Sequence, residues 1–462
     1  MGLKRALVAA ALLIGAVGPA LPSLRAQQPA PAAPGKDAPA TGSAKPTPAA
    51  AASAPATAPT TAPTTAPAGS ATSADVREFG AKGDGTTDDT HAFGAAIAAV
   101  AQKGGVVSVP AGEYLIKSHL DVSPGVTLEG VWRSPRAKGQ RLGTTLLAVE
   151  GAGAEAGTAF ITLGANATLK GITVFYPDQK PDKITPYPWC VAAAGENVSV
   201  VDCLLLNPYQ GLDLAGKPSG RHYVRNLYGQ PLRRGISVDK CFDVGRIENV
   251  HFGPFWNWDD KTQAWQTANG EAFTFARSDW QYVQNAFCYG YRVGYRFIKS
   301  ADGATNGNLL GVGADATHNA VSIEASQGPA LLIGNGQFVS FTGDKPTHVV
   351  VADANAGVVQ FQNCAFWGLS YQVARIGGTG TVSFNNCSFI EWSNGAPAID
   401  LSGGNLIVNA CVFQKPFPQA VLQNKAESAV ITSNRFAGPA SIANPANAAL
   451  QAGLNVEKKP AQ

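Results

Sequence analysis

The sequence Asn363-Cys-Ala-Phe366 returns, in varied form, as Asn386-Cys-Ser-Phe389, Ala410-Cys-Val-Phe413 and Ser433-Asn-Arg-Phe436. The four phenylalanines are separated by 23, 24 and 23 residues, and a short apolar or small-residue run precedes each pattern. Short alternating runs of this kind predict strands rather than helices. A steady period of this length indicates a solenoid, in which each repeat is one coil stacked on the next.

Stacking would place equivalent positions of successive coils above one another, about 4.8 Å apart. Upstream segments fit the same template, so the period predicts two inward-facing columns. The first column would hold Val174, Leu205, Phe252, Phe366, Phe389, Phe413 and Phe436. The second would hold Ile172, Cys203, Val250, Cys364, Cys387, Cys411 and Asn434. The stretch 125–440 has room for roughly ten to twelve coils, and a propeller, which needs longer repeats, is the less favoured alternative.

The chain has seven cysteines and no Cys-x-x-Cys pair, which argues against a zinc cluster. Four of them fall in the second column, which favours small buried thiols stacked from coil to coil. Disulfides between them remain the alternative. Asn363 and Asn386 would lie at turns, where their amides could form a ladder between coils.

A second signature lies near the N-terminus, in Asp75-Val-Arg-Glu-Phe-Gly-Ala-Lys-Gly-Asp-Gly-Thr-Thr-Asp-Asp-Thr90 and the alanine-rich segment after it. Gly104-Gly-Val-Val-Ser-Val-Pro-Ala-Gly-Glu-Tyr-Leu-Ile116 follows. This order resembles the pectate-lyase superfamily, in particular the N-terminal region shared with glycoside hydrolase family 28-related proteins. The resemblance implies an all-β fold, a right-handed parallel β-helix (solenoid) with an N-terminal capping α-helix. Asp88 and Asp89 would then cap that helix.

The domain organisation follows from composition. Residues 1–26 read as a signal peptide, with Lys4 and Arg5 before an apolar run, although a retained N-terminal anchor is the alternative. Residues 27–73 form an Ala/Pro/Thr-rich linker predicted to be disordered. We expect the N-terminal cap of the β-helix at 74–124, the coils at 125–440 with a Trp-rich insertion near 253–280, and a C-terminal tail at 441–462. The protein would be secreted or periplasmic, with no membrane span after removal of the signal.

The formal net charge is +3, and the sequence has no basic stripe of the kind that nucleic acid demands. We therefore expect an extracellular polysaccharide as the partner and no nucleic acid.

The Trp-rich insertion and the segments beside it break the period, so they are the expected place for a site. Exposed aromatic rings stack on the apolar faces of sugars, and glycosidic hydrolysis typically needs two carboxyl groups in different environments. We predict Asp239 and Asp243 as the acid/base pair, with Asp279 or Glu271 as the substitute. The predicted substrate-binding residues are Arg246, His251, Trp256, Trp258 and Trp280. Solvated charges and rings that pack a long loop are the alternative roles.

The sequence lacks the Asn-Thr-Asp, Asp-Asp, Gly-His-Gly and Arg-Ile-Lys set of the hydrolase family, so no catalytic residue is carried over from it. A lyase would remove a proton beside a uronate carboxylate, often with Ca²⁺ neutralising that carboxylate. No calcium loop is recognisable, so we assign no metal or cofactor, and Ca²⁺ would be expected only for a lyase. The sequence predicts a carbohydrate-active enzyme, a glycoside hydrolase or polysaccharide lyase. The alternative is a non-catalytic β-helix for glycan binding or surface adhesion.

Overall fold

The chain winds into stacked coils whose strands pair in parallel with strands one coil away. The computed structural model describes residues 71–135 and 138–458. The predicted signal peptide and most of the predicted linker lie outside these residues. The predicted all-β parallel β-helix with an N-terminal capping helix is confirmed.

Each coil contributes up to three short strands, and stacking builds three parallel sheets. Sheet 1 consists of Ser73–Asp75, Gly105–Val109, Val126–Gly130, Thr168–Lys170, Ser199–Leu205, Tyr223–Gly229, Arg246–Glu248, Ser278–Gln284, Thr305–Leu310, Ser326–Gly334, Val358–Gln362, Thr381–Asn385, Ile399–Asn409, Ala420–Thr432 and Ala449–Gly453.

Sheet 2 follows sheet 1 in each coil. Besides the ends of Ser199–Leu205 and Tyr223–Gly229, it consists of Asp84–Asp88, Gly112–Ile116, Thr144–Ala148, Ile172–Phe175, His251–Phe252, Phe287–Tyr289, Gly313–Thr317, Gln337–Ser340, Ala365–Trp367, Ser388–Phe389, Val412–Phe413, Arg435–Phe436 and Val456–Glu457.

Sheet 3 completes the coil. Besides the starts of Ile399–Asn409 and Ala420–Thr432, it consists of Leu120–Val122, Ile161–Leu163, Trp189–Ala193, Gln210–Leu214, Arg234–Val238, Glu271–Phe275, Val293–Phe297, Asn319–Ile323, Thr347–Val351, Gln372–Ile376 and Ile442–Ala443. The connections from sheet 2 to sheet 3 include the longest loops, and one of them is the Trp-rich insertion.

The interior columns have the predicted register. Val174 pairs with Leu205, and Phe366 pairs with Phe389. The Phe366 and Phe389 rings stack with centroids 5.6 Å apart. All seven cysteines are buried and free, so the stacked-thiol interpretation holds over disulfides.

Helix α1 (Thr90–Val100) covers the first coil, and a 3₁₀ turn (Val76–Phe79) precedes it. Phe93, Ile97 and Val100 are buried on its inner side. Asp88 and Asp89, the two residues expected to cap this helix, have different hydrogen-bond partners. Asp88, which precedes the N-cap position, accepts a hydrogen bond from the N–H of the first helical residue, Thr90, at 3.1 Å. Asp89 is buried and accepts instead from the backbone N–H groups of the preceding loop. It therefore fastens that loop rather than the helix.

The turns from sheet 1 to sheet 2 contain a ladder of left-handed asparagines. Asn363 and Asn386 have φ of 54° and 51°. The Asn386 amide donates to Asn363 Oδ1 at 2.8 Å, and the Asn363 amide donates to Asn335 Oδ1 at 3.2 Å. The short amide side chain tolerates this conformation better than most others do, which explains its recurrence.

The coils continue past residue 440, where the sequence predicts a tail. Ala449–Gly453 and Val456–Glu457 pair with the preceding coil. The apolar period does not reveal this coil, because Glu457 occupies the position opposite Phe436. Helix α2 (Asp260–Asn269) lies in the insertion. Among the described residues, no helix is long and apolar enough to cross a membrane.

Candidate functional site

The predicted site residues are distributed around the coil rather than gathered in one groove. Asp239, Asp243, Asp279 and Trp280 lie where the chain passes from sheet 3 to sheet 1. Glu271 begins a strand of sheet 3, at the opposite end of that strand row. Arg246 lies in sheet 1, His251 in sheet 2, and Trp256 and Trp258 in the insertion. Their roles in chemistry stay a prediction, and their surroundings differ.

Asp239 holds two turns together. Its Oδ1 atom accepts hydrogen bonds from the backbone N–H groups of Lys240 at 2.8 Å and Arg277 at 2.9 Å. The Ser300 hydroxyl donates to the same atom at 2.9 Å. Asp243 has a different partner, the exposed Arg221 guanidinium at 2.7 Å. The two carboxylates therefore have separate structural partners, and Asp239 caps two turns through its hydrogen bonds to backbone N–H groups.

Asp279 and Trp280 form the more conspicuous part of this corner. Asp279 accepts from Arg277 at 2.7 Å and from the Gln327 amide at 2.8 Å. Trp280 is 61% exposed and has φ of 56°, and the pairing register shifts between Ser278 and Gln281. A bulky residue in this backbone region is strained. The bulge thus presents the Trp280 ring to solvent, as a sugar platform requires.

The other predicted aromatic residues are more involved in packing. The ring centroids of Trp258 and Tyr289 lie 5.4 Å apart. The Trp258 ring also packs so closely on Gly290 that a Cβ atom at that position would collide with it. The backbone N–H of Trp256 donates to Gln230 Oε1 at 2.8 Å. These contacts fasten the insertion to the body of the β-helix, so Trp258 in particular supports the loop.

His251 projects outward from sheet 2 between aromatic rings. Its ring centroid lies 5.1 Å from Phe255 and 5.2 Å from Phe287. His251 remains partly exposed, but desolvation by the neighbouring rings lowers the pKa of its imidazole. Arg246 is exposed in sheet 1, in register with Tyr223 and Tyr282.

A cluster of arginines surrounds Glu271. The Glu271 side chain is only 4% exposed, and it contacts Arg292 at 2.6 Å, Arg296 at 3.1 Å and Arg233 at 3.7 Å. Burial alone would raise the pKa of Glu271, but the charges of Arg296, Arg233 and Arg292 outweigh it and hold that pKa below its ordinary value. We call Arg233, Glu271, Arg292 and Arg296 the arginine cluster.

The charged surface extends beyond the arginine cluster to both sides. Arg296 also pairs with Glu324 at 2.6 Å. Arg234 pairs with Glu155 at 2.6 Å, and Tyr209 donates to that same carboxylate at 3.2 Å. The insertion reaches this surface, since Arg233 donates to the carbonyl of Asn269 at the end of α2. Because each guanidinium carries five N–H donors in a fixed fork, such a surface suits planar anions.

Asp213 lies in sheet 3, three coils before Arg296. The register runs from Asp213 through Ser237 and Thr274 to Arg296. Burial raises the pKa of Asp213, although the backbone N–H groups of Ala215 and Gly216 partly offset that effect. Asp213 and Glu271 are thus two carboxyl groups of sheet 3 whose environments move their pKa values in opposite directions.

Sequence reasoning singled out Glu271 as a substitute acid but missed Arg292 and Arg296. These arginines follow Glu271 by 21 and 25 residues. That separation is close to the coil period, so the period itself was the signal that could have found them. Among residues 71–135 and 138–458, no group of three or more His, Cys, Asp or Glu residues could hold a metal ion.

Comparison with known proteins gives a family match for one segment of the chain and a likeness in fold. Residues 73–194 match the family described as "Rhamnogalacturonase A/epimerase, pectate lyase-like". Local similarity links the chain to "Non-secreted LysM effector LysM19" of Penicillium expansum, 38% identical over 74 residues, which are 16% of this chain and 6% of that protein. "Alginate lyase 7" of Azotobacter vinelandii is 50% identical over 54 residues, 12% of this chain and 6% of that protein. The chain thus matches a small part of each relative's length.

Among solved structures, the chain is similar to pre-mature bacteriophage phi29 gene product 12, with a TM-score of 0.55 and 16% identity. The alignment covers 79% of this chain and 52% of that one, and at this identity the likeness concerns the fold alone. Coil architecture and the matched N-terminal segment agree. Residues 73–194 are therefore similar to a pectate-lyase-like family, and the described chain as a whole has the architecture of a parallel β-helix.

Proposed function

We propose that this protein engages an acidic polysaccharide through the arginine cluster on sheet 3, and that it acts on that polymer as a lyase. One observation carries the proposal: Arg233 from the coil before and Arg292 and Arg296 from the coil after converge on the buried Glu271, beside the Trp-rich insertion. The glutamate positions the guanidinium groups, which are each about one-quarter to two-fifths exposed. Their remaining donors are available to uronate carboxylates.

The cluster favours elimination over hydrolysis. In a lyase reaction a base takes the C–H proton beside the uronate carboxylate, a C=C bond forms and the glycosidic C–O bond breaks. Positive groups that neutralise the carboxylate make that proton easier to remove. Arginines supply this neutralisation without a metal. Hydrolysis instead needs two carboxyl groups roughly 5–9.5 Å apart. Asp213 and Glu271 are two coil steps apart, about 10 Å at the usual strand spacing, and lie at different positions along their strands.

Non-catalytic glycan binding is the second candidate. The observation that favours it is that the predicted catalytic acids already make structural contacts. Asp239 accepts hydrogen bonds from backbone N–H groups, and Asp243 forms an ion pair with Arg221. The family description and the local match to an alginate lyase support a carbohydrate ligand under either candidate. Export to the periplasm or the medium, as the N-terminal sequence predicts, would bring the protein to such a polymer.

The test compares the full-length protein with Arg292→Gln, using Arg435→Gln as the matched control. Arg435 is an exposed arginine of the C-terminal coils, so its variant has the same charge change away from the cluster. Binding to alginate, polygalacturonate and a neutral glucan is measured by calorimetry, and unsaturated products by ultraviolet absorbance. We expect acidic polymers to be preferred, and Arg292→Gln to weaken their binding about tenfold.

The products and the binding affinities together distinguish the two candidate functions. Unsaturated products from an acidic polymer support the lyase proposal, whereas binding without products selects the non-catalytic candidate. Equal binding to the neutral glucan, or equal loss in both variants, would remove the arginine cluster as the binding site.

A further inference from the structure

A shallow groove of about 390 Å³ crosses the outer face of sheet 2, away from the arginine cluster. It spans the strands Phe287–Tyr289, Gly313–Thr317, Gln337–Ser340 and Ala365–Trp367. Its volume lies at the lower end of the range for small-molecule sites. We call it the sheet 2 groove.

The groove exists because one outward position lacks a side chain. Phe287, Gly313 and Gln337 follow one another in register on successive coils. A Cβ on Gly313 would lie 2.9 Å from the Phe287 ring, so the ring rests directly against the glycine backbone. The missing side chain leaves a depression between Phe287 and Gln337.

An aromatic ring stands at each end of the groove. Phe287 is half-buried at the first coil, and Trp367 is 37% exposed three coil steps later. Three steps at the usual strand spacing correspond to about 14 Å. The ends therefore offer two apolar faces of the kind on which the C–H faces of sugars stack.

The polar lining consists of amides and one carboxyl group. Asn285, Asn335 and Gln337 line the groove together with Asp315. Asp315 Oδ1 accepts a hydrogen bond from the Ala316 N–H at 2.6 Å. Burial raises the pKa of Asp315, as expected for a carboxyl group set below the surface. These groups can accept hydrogen bonds from hydroxyls and donate to ring or hydroxyl oxygens.

The charge of the lining selects the ligand. Among the described residues, those that line the groove include Asp315 as their one ionisable group and no arginine, lysine or histidine. A uronate or sulfate would thus meet a carboxyl group without a compensating cation, whereas a neutral sugar would find only complementary groups. We propose that the sheet 2 groove binds a neutral oligosaccharide segment between Phe287 and Trp367, with Asp315 accepting hydrogen bonds from its hydroxyls.

This site is independent of the acidic-polymer surface on sheet 3. Together the two surfaces would let one molecule hold two chemically different glycans, or neutral and acidic stretches of one polymer. The Asn-ladder turns flank one side of the groove, since Asn335 accepts from the Asn363 amide. They give it a rigid border, so little ordering cost would attend binding.

The experiment titrates the full-length protein with neutral glucan, mannan and galactan oligosaccharides, and with oligouronates of the same length, by calorimetry and ligand-observed NMR. The variants are Trp367→Ala and Asp315→Asn, with Phe242→Ala as the control. Phe242 is an exposed aromatic residue of another corner. Thermal unfolding of every variant verifies that it is folded.

We expect at least one neutral oligosaccharide to bind, and both groove variants to weaken it at least tenfold, while Phe242→Ala and Arg292→Gln leave it unchanged. Absence of neutral binding by the folded protein would overturn the inference, as would equal binding of oligouronates in the groove or full affinity in Trp367→Ala. The proposal for sheet 3 is tested separately, by measuring how strongly the Arg292→Gln variant binds acidic polymers.

Discussion

At the scale of single residues, backbone conformation explains what occupies each turn. The turn between sheets 1 and 2 requires φ near +55°, and asparagine recurs there at positions 335, 363 and 386. Ala410 and Ser433 occupy the same turn in the next coils with φ of 54° and 60°. These two residues bear the conformational cost of the left-handed region without adding an amide to the ladder.

Replacing Ala410 with asparagine should therefore stabilise the protein. Asparagine tolerates the left-handed conformation, and its amide would reach toward Asn386, one coil away. We expect Ala410→Asn to raise the free energy of unfolding by about 1 kcal/mol in urea titration. The control variant Ala443→Asn, which lies in a strand rather than in this turn, should not raise the free energy of unfolding. A destabilised Ala410→Asn protein would show that the ladder contributes nothing at this turn.

A buried histidine should make the fold sensitive to acid. His348 is fully buried, with neither ring nitrogen hydrogen-bonded among the described residues, and burial lowers its pKa to about 3. The unfolded chain has the ordinary value of 6.5 and binds the proton first. The contribution of His348 to stability is thus intact above pH 6.5 and declines as the pH falls toward 3.

His348→Leu should remove this decline. We expect the variant to gain stability over the wild type as the pH falls from about 6.5 to 3, measured by thermal unfolding at several pH values. His91→Gln, on the exposed side of α1, should follow the wild type. Parallel pH profiles for wild type and His348→Leu would contradict the assigned pKa.

At the scale of elements, α1 acts as a plug for the first coil. Phe93 is fully buried and packs edge-on against Tyr114, with ring centroids 5.3 Å apart. Without the helix, the first coil would expose the end of the apolar core and a row of strand edges. Helix α2, by contrast, belongs to a loop and buries mostly polar residues.

Truncating Phe93 should cost far more than truncating a phenylalanine nearby. We expect Phe93→Ala to lower the free energy of unfolding by about 3–5 kcal/mol, because it opens a cavity under the cap. Phe79→Ala, at a partly exposed ring of the preceding turn, should cost less than about 1 kcal/mol. Equal losses in denaturant titration would mean that the helix does not close the core.

At the scale of the whole molecule, the two ends of the β-helix differ. The N-terminal coil is covered by α1, whereas the described chain ends in a coil with exposed Leu450, Leu454 and Val456. In stacked repeats, each coil is stabilised by the neighbours it contacts. Among the described residues, the last coil contacts a neighbouring coil on one side only.

Hydrogen exchange should reveal this gradient. We expect amides of Ala449–Gly453 to exchange fastest among the sheet 1 strands, and those of Val358–Gln362 to be among the slowest. Mass spectrometry of peptic fragments measures both in one experiment. Equal protection of the two strands would indicate that a further contact covers the C-terminal coil.

Much of the fold could be predicted from the sequence, because inward positions repeat with the coil period and inward residues are apolar. The phenylalanine and cysteine columns follow directly from this rule. The site could not be predicted as well. Loops of different length separate the strands, so the position of Glu271 relative to Arg292 is not visible in a list of charges. The same holds for the depression left by Gly313, which depends on its neighbours in adjacent coils.

By itself, the sequence determined that the chain stacks coils, that its thiols and rings face inward, and that a helix covers the first coil. These follow from a local rule: burial of apolar side chains every coil stabilises the stack. Only the tertiary structure decided which polar groups meet. Asp239 and Glu271, predicted as parts of one site, lie at opposite ends of the sheet 3 strands, because the five residues of one strand carry the chain from one corner of the coil to the next.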